Sequence, residues 1–272
     1  MAWNSPPPPR DPQQQPQGPF GHGPQSQPQP GWQDPYARAA MDPLRQVGPH
    51  VGAAGSPNAF ITNVFGWMTM GLALTGATAW MVAGSETILT FLFGTGLHLG
   101  LLLLCLGLVF GLSWGISKMS AAVATGMFLV YSVINGAALA PIFLIYTGAS
   151  IASVFFITAG TFGAMFLYGW KTQRDLTSVG SLAFMALIGL ILAMLVNMFL
   201  QSSMMSFIIS LVGVLIFVGL TAYDAQKLKD INAHGFDGSE VARKNSILGA
   251  LTLYLDFINL FLMLLRLLGD RR

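Results

Sequence analysis

A chain of 272 residues that is 53% hydrophobic and only 9% charged lacks the polar surface of a soluble domain, which carries roughly 25% charged residues. Its 13 basic and 11 acidic residues leave a net charge of +2, too weak to grip a phosphate backbone. Most cytosolic enzymes and nucleic-acid binders are excluded, and the single cysteine, Cys105, excludes an intramolecular disulfide framework and a CxxC site.

Residues 1–57 come first and are unlike the rest. They hold 14 of the 15 prolines, nine glutamines and two of the four histidines, His22 and His50, with no continuous apolar run. Such a stretch cannot bury enough surface to offset chain entropy, so it reads as a disordered, partly polyproline-like cytoplasmic tail. It lacks the charged start and apolar core of a signal peptide. A solvated tail fits it better than a proline-rich ligand for some partner domain.

Residues 58–272 read as a transmembrane domain. Seven apolar stretches follow in order: Phe60–Val82, Leu97–Ile116, Ala121–Ile145, Ile151–Trp170, Val179–Leu200, Phe207–Asp224 and Ile247–Leu268. The second has an alternative start at Ile88. Each approaches the ~20 residues needed to cross ~30 Å of hydrocarbon. Backbone amides in lipid must be satisfied within their own element, so these are helices in an all-α membrane bundle. Small residues at four-residue spacing (Gly71, Thr75 and Ala79; Ala159 with Gly163; Gly160 with Ala164) predict close helix packing. The 14 methionines and 19 phenylalanines supply lipid-facing and core surface.

Basic residues set the orientation. With the N-terminus in the cytoplasm, the inner segments hold Arg10, Arg38, Arg45, Lys118, Lys171, Arg174, Lys227, Lys229, Arg243 and Lys244. The outer side holds only Arg266, Arg271 and Arg272, at the C-terminus. The positive-inside rule favours this arrangement. A re-entrant last segment with a cytoplasmic C-terminus stays open as an alternative.

Ionisable groups at hydrocarbon depth carry the functional information. Asp224, in GLTAYDAQKLK, lies near the inner end of the sixth stretch, and Asp256, in LYLDFINLFLMLLR, lies inside the seventh. Gly249, Thr252, Asp256, Asn259 and Met263 share one helical face; Ser210, Thr221 and Asp224 share another. Stripes this polar point to the bundle interior and against each other. Two carboxyl groups that meet there titrate as a unit around a shared proton, and double ionisation parts the helices or recruits a cation. The competing reading has Asp224 at the interface and Asp256 as a satisfied core group. Asn63, Asn135 and Asn197 are expected to bond between helices.

Other patterns fail on their context. Gly111, Ser113 and Gly115 fit GxSxG but end a membrane helix, and His98 is the sole histidine at membrane depth. An intramembrane aspartyl protease needs glycines where Leu253 and Leu255 stand. Asp230–Gly235 begins like a calcium loop, yet position twelve is Val241 with Glu240 one residue early, so a flexible linker reads better. A retinal-type photoreceptor is excluded, because no lysine sits inside the last apolar stretch. His98 itself reads as a packed or pore-facing group.

The segments GLTAYDAQKLK and ILGALTLYLDFINLFLMLLRLLG resemble the signature of the Bax inhibitor-1 (transmembrane Bax inhibitor motif) family, in particular its bacterial branch. FGWMTMGLALTGATAW, ASIASVFFITAGTFGAMFLYGW, QRDLTSVG and FMALIGLILAMLVN extend the resemblance over residues 59–272. The resemblance implies seven helices with the last one central, in a bacterial inner membrane. It also implies a pH-sensitive calcium leak governed by an aspartate pair, here Asp224 and Asp256, with Thr221, Thr252 and Asn259 as supporting polar groups. Relatives latch the closed state with a basic residue near the inner end of the second helix; this chain has no arginine there, and Lys118 is the only basic candidate. No cofactor is expected, with calcium as the transported ion in contact with the pair. The chain is expected to work as a monomer in the bilayer. The alternative is a non-transporting regulator that binds other membrane proteins, such as a membrane protease, and a third class is a proton-coupled exchanger.

Overall fold

The computed structural model describes residues 58–233 and 238–272. Seven long helices run through them: α1 (Ala59–Ala83), α2 (Leu97–Gly115), α3 (Ala121–Leu139), α4 (Gly148–Lys171), α5 (Thr177–Leu200), α6 (Ser203–Ala233) and α7 (Glu240–Leu268). Every one is long and apolar enough to cross a bilayer. The expected tail over residues 1–57, with Arg10, Arg38, Arg45, His22 and His50, lies outside the described residues, as do residues 234–237.

Capping chemistry sets several boundaries. Ser120, Thr147 and Ser239 precede α3, α4 and α7, and each hydroxyl accepts a backbone N–H of the first turn. That satisfies one donor with no partner inside its helix. Pro141 interrupts the third apolar stretch: α3 ends at Leu139 and a short turn, Ile142–Ile145, completes the crossing. The second stretch does not start at Ile88. A short helix at Glu86–Leu89 leads into a π turn at Thr90–Gly94, and Gly96, at φ 79°, breaks the chain before Leu97.

The largest departure from expectation lies between the last two helices. α6 does not end near Asp224 but continues to Ala233, and α7 begins at Glu240 rather than Ile247. Asp230 to Ala233 are therefore helical, neither a calcium loop nor a flexible linker. Gln226, Lys227 and Lys229 mark the end of apolar sequence, but they form helices well and carry the helix past the hydrocarbon.

α7 is the centre of the bundle. Of its most apolar stretch 72% is buried, against 39% or less in every other helix. It packs on α1, α3, α4 and α6, while α2 covers α3 and α5 covers α6. Trp114 and Phe199, 80% and 81% exposed, mark the lipid-facing surface of the outer pair. In lipid no hydrophobic force drives helices together, so close fit must do so. The α1 row of Gly71, Thr75 and Ala79 is buried, and a Cβ on Gly136 of α3 would lie 2.5 Å from the Thr75 carbonyl. The expected rows on α4 are looser: a Cβ added at Gly160 or Gly163 would meet nothing within 4 Å. Ala159 still packs against the core, while Gly160 and Ala164 are exposed.

The C-terminus is fixed on one side. Thr147 N–H donates to the Asp270 carbonyl at 3.1 Å, Arg272 N–H donates to the Ile145 carbonyl at 2.9 Å, and Asp270 N–H donates to Ser150 Oγ at 2.9 Å. The end of α7 therefore lies beside the α3–α4 connection. Single cysteines replacing Thr147 and Arg272, in a Cys105→Ala background, are expected to react from one side of the membrane, and one replacing Arg174 from the other. Labelling of Arg174→Cys and Arg272→Cys from the same side would contradict the fold.

Candidate functional site: an aspartate pair between α6 and α7

α6 and α7 meet along the buried faces that carry Asp224 and Asp256. The two carboxyl groups come within hydrogen-bonding reach of each other. Asp256 is 5% exposed, and its Oδ2 is buried without a hydrogen-bond partner. Two carboxylates cannot bond to one another, whereas a proton on either group supplies the missing donor. The charged side chain beside Asp224 on its own helix is Lys227. From α4, facing α7, come Phe155 and Phe162, whose rings meet Phe257 at 5.4 and 5.5 Å between centroids. The pair sits in a largely apolar seam, with Asp256 buried and Asp224 half-buried.

Backbone contacts hold α6 on its other side. A Cβ on Gly169 of α4 would collide with the Ala222 carbonyl, and one on Gly180 of α5 would sit 2.5 Å from the Tyr223 ring. The α4–α5 connection is tied to the same helix. Leu176 N–H donates to Gln226 Oε1 and Gln226 Nε2 donates to the Arg174 carbonyl, both at 2.8 Å. Lys229 Nζ donates to the Thr172 carbonyl at 2.9 Å. Within that connection, the Thr177 hydroxyl and N–H hold the Asp175 carboxyl below the usual carboxylate range.

The supporting residues divide. Thr221 is fully buried but spends its hydroxyl on the Phe217 carbonyl, 2.7 Å away. Asn259 donates to the Leu255 carbonyl of its own helix at 2.8 Å, and Thr252 is half-buried on α7. Lys118 lies exposed beyond the end of α2. Asn135 and Asn197 do bond between helices, to Tyr254 and Ser206; Asn63 instead caps back onto Ala59. His98 stacks on Phe93 at 5.6 Å, with Nδ1 buried and unpartnered. Ser113 lies on the same helix about 22 Å from His98 by helical rise, so the two form no dyad. Among the described residues no three metal-ligating side chains cluster.

Sequence reasoning missed Tyr254. Its hydroxyl is fully buried, 2.7 Å from Thr75 Oγ1 and 2.7 Å from Asn135 Nδ2, while Thr75 Oγ1 lies 2.9 Å from the Ser132 carbonyl. Phe128 and Tyr131 meet its ring edge-on at 5.8 and 5.6 Å. A tyrosine in an apolar helix ordinarily reads as packing. Its place two residues before Asp256 was the available signal.

Residues 57–272 match the family profile described as Inhibitor of apoptosis-promoting Bax1. The chain is 52% identical over 216 residues to the inner membrane protein YbhL of Escherichia coli K12, covering 78% of this chain and 92% of that protein. It is 44% identical over 216 residues to an uncharacterized protein of Borreliella burgdorferi, covering 79% and 93% of the two chains. A Rickettsia prowazekii protein is 46% identical over 213 residues, with 78% and 90% covered.

Proposed function

The chain belongs to the Bax inhibitor-1 family, and from that membership and the buried carboxyl pair we propose that it is a pH-sensitive calcium leak of a bacterial inner membrane, gated by Asp224 and Asp256. The observation that carries the reading is the contact between the two carboxyl groups, with Asp256 Oδ2 lacking any donor. With one proton between them the carboxyls bond and hold α6 against α7, the closed state. Losing that proton leaves two negative charges in a seam of low dielectric, and their repulsion separates the helices. Low pH closes the path and high pH opens it.

Calcium is cargo in this scheme. It prefers roughly six to eight oxygen ligands, far more than two carboxylates provide, so the opened pair draws the ion in without trapping it. The face carrying Lys118, Lys171, Arg174, Lys227, Lys229, Arg243 and Lys244 is the cytoplasmic one by the positive-inside rule, with the N-terminus on that side. The Asp–Asp contact lies within one chain, so a single copy suffices.

The purified protein in liposomes loaded with a calcium indicator provides the test. Flux is expected to rise as the pH is raised equally on both sides, so that no proton gradient is imposed. Silent liposomes, together with a stoichiometric membrane-protein partner on co-purification, would overturn the leak in favour of a regulator. Flux that follows only an imposed proton gradient would replace it with an exchanger.

A further inference from the structure

We infer that Tyr254 is a positioning residue for the aspartate pair, its buried hydroxyl fixing the rotation of α7 about its own axis so that Asp256 is aimed at Asp224. The inference rests on the pair acting as a proton-sharing unit, and it adds the element that keeps the pair aligned.

Residues two apart on a helix point to nearly opposite sides. Tyr254 and Asp256 use this: the tyrosine bonds to Thr75 on α1 and Asn135 on α3, while the aspartate reaches α6. Any turn of α7 that carries Asp256 away from Asp224 must also draw the Tyr254 hydroxyl off both partners. No water-filled space replaces those bonds, because the side chain is fully buried and walled by the Phe128 and Tyr131 rings. Thr75 is a second tie, bridging the tyrosine to the Ser132 carbonyl at 2.9 Å. Polar groups so placed are costly to leave unpaired, which makes the cluster a rotational stop rather than a general adhesive.

The charged and titratable surroundings are few. From α6, Asp224 faces Asp256, with Lys227 beside it; from α3 and α2, Tyr131 and Cys105 lie near Tyr254. α1 presents Thr75, and α4 presents phenylalanine rings. None of the Tyr254 partners touches the carboxyl pair directly. An effect of Tyr254 on the titration of the pair therefore passes through the orientation of α7.

Infrared absorption of protonated carboxyl groups, followed against pH in the purified protein, reads the pair without any flux measurement. The wild type is expected to show a titrating band that Asp256→Asn removes. Tyr254→Phe keeps the ring and removes the hydroxyl; it should displace the midpoint by about one pH unit while still melting cooperatively. Thr75→Val should do the same, and Thr75→Ser should restore the wild-type midpoint. If Tyr254→Phe does not fold, the comparison of Thr75→Val with Thr75→Ser decides. Variants that melt lower yet titrate at the wild-type midpoint would reduce Tyr254 to a packing residue. A wild type with no titrating band would remove the pair itself, and the anchor with it.

Discussion

Asp256→Asn is expected to abolish the pH dependence of calcium flux. An asparagine amide has no proton to lose over the relevant range, and it donates permanently to Asp224, so α6 and α7 stay together at every pH. The expected size follows from the charge removed. Two unit charges ~4 Å apart at an effective dielectric of ~20 repel by about 4 kcal/mol, which moves a two-state equilibrium by roughly a thousandfold. Screening and partial opening will reduce that figure, so a wild-type change of at least about tenfold is a conservative expectation against less than about twofold in the variant. Asp224→Asn should behave alike, and the double variant should add little, since both changes remove one shared proton. Flux from Asp256→Asn that kept its full pH dependence would end the sensing role of the pair. The measurement is the liposome assay above, with buffer of matched pH on both sides.

The fold was largely legible because hydrocarbon imposes a coarse rule. A run such as Leu97–Gly115 has no alternative to a membrane helix, and its end points fell within a residue or two of expectation. What failed was the rule's silence beyond the bilayer. Past Asp224 the apolar signal stops, but the helix does not, because Gln226 and Lys229 are bound to the α4–α5 connection and earn their order from that contact. The pair of Ser239 and Glu240 was the readable sign of an early α7 start: the serine caps the helix, and Glu240 accepts the Ala121 N–H at 3.2 Å.

The site was legible in part and for a related reason. A carboxyl group at membrane depth stands out in a single chain, so Asp224 and Asp256 could be found without any structure. Tyr254 could not be found that way, because its meaning lies in partners 179 and 119 residues away. Small-residue spacing misled in the same manner. The rows at Ala159 and Gly160 look like tight packing faces, yet a Cβ added at Gly160 or Gly163 would meet nothing within 4 Å. The glycine of α4 that matters is Gly169, a whole turn and more beyond them, and no periodicity distinguishes it.

Gly169→Ala should therefore separate real packing from apparent packing. In an ordinary helix interior this substitution is favourable by about 1 kcal/mol, since alanine is the better helix former. At Gly169 the added methyl would meet the Ala222 carbonyl, backbone against backbone, with no side chain free to swing aside. Overpacking of this kind costs about 1–3 kcal/mol, and the rigid neighbour puts the expected loss at the upper end. Gly163→Ala, on the same helix with open space around it, should be neutral or stabilising. Thermal melting of the two variants in detergent gives opposite signs if the contact is as tight as described; equal melting temperatures would show that α4 does not press on α6 there. The consequence reaches the pair, because Ala222 stands two residues before Asp224 on α6. Displacing that turn penalises the proposed closed state, so Gly169→Ala protein that still folds should leak calcium at acidic pH, where the wild type is expected to stay shut.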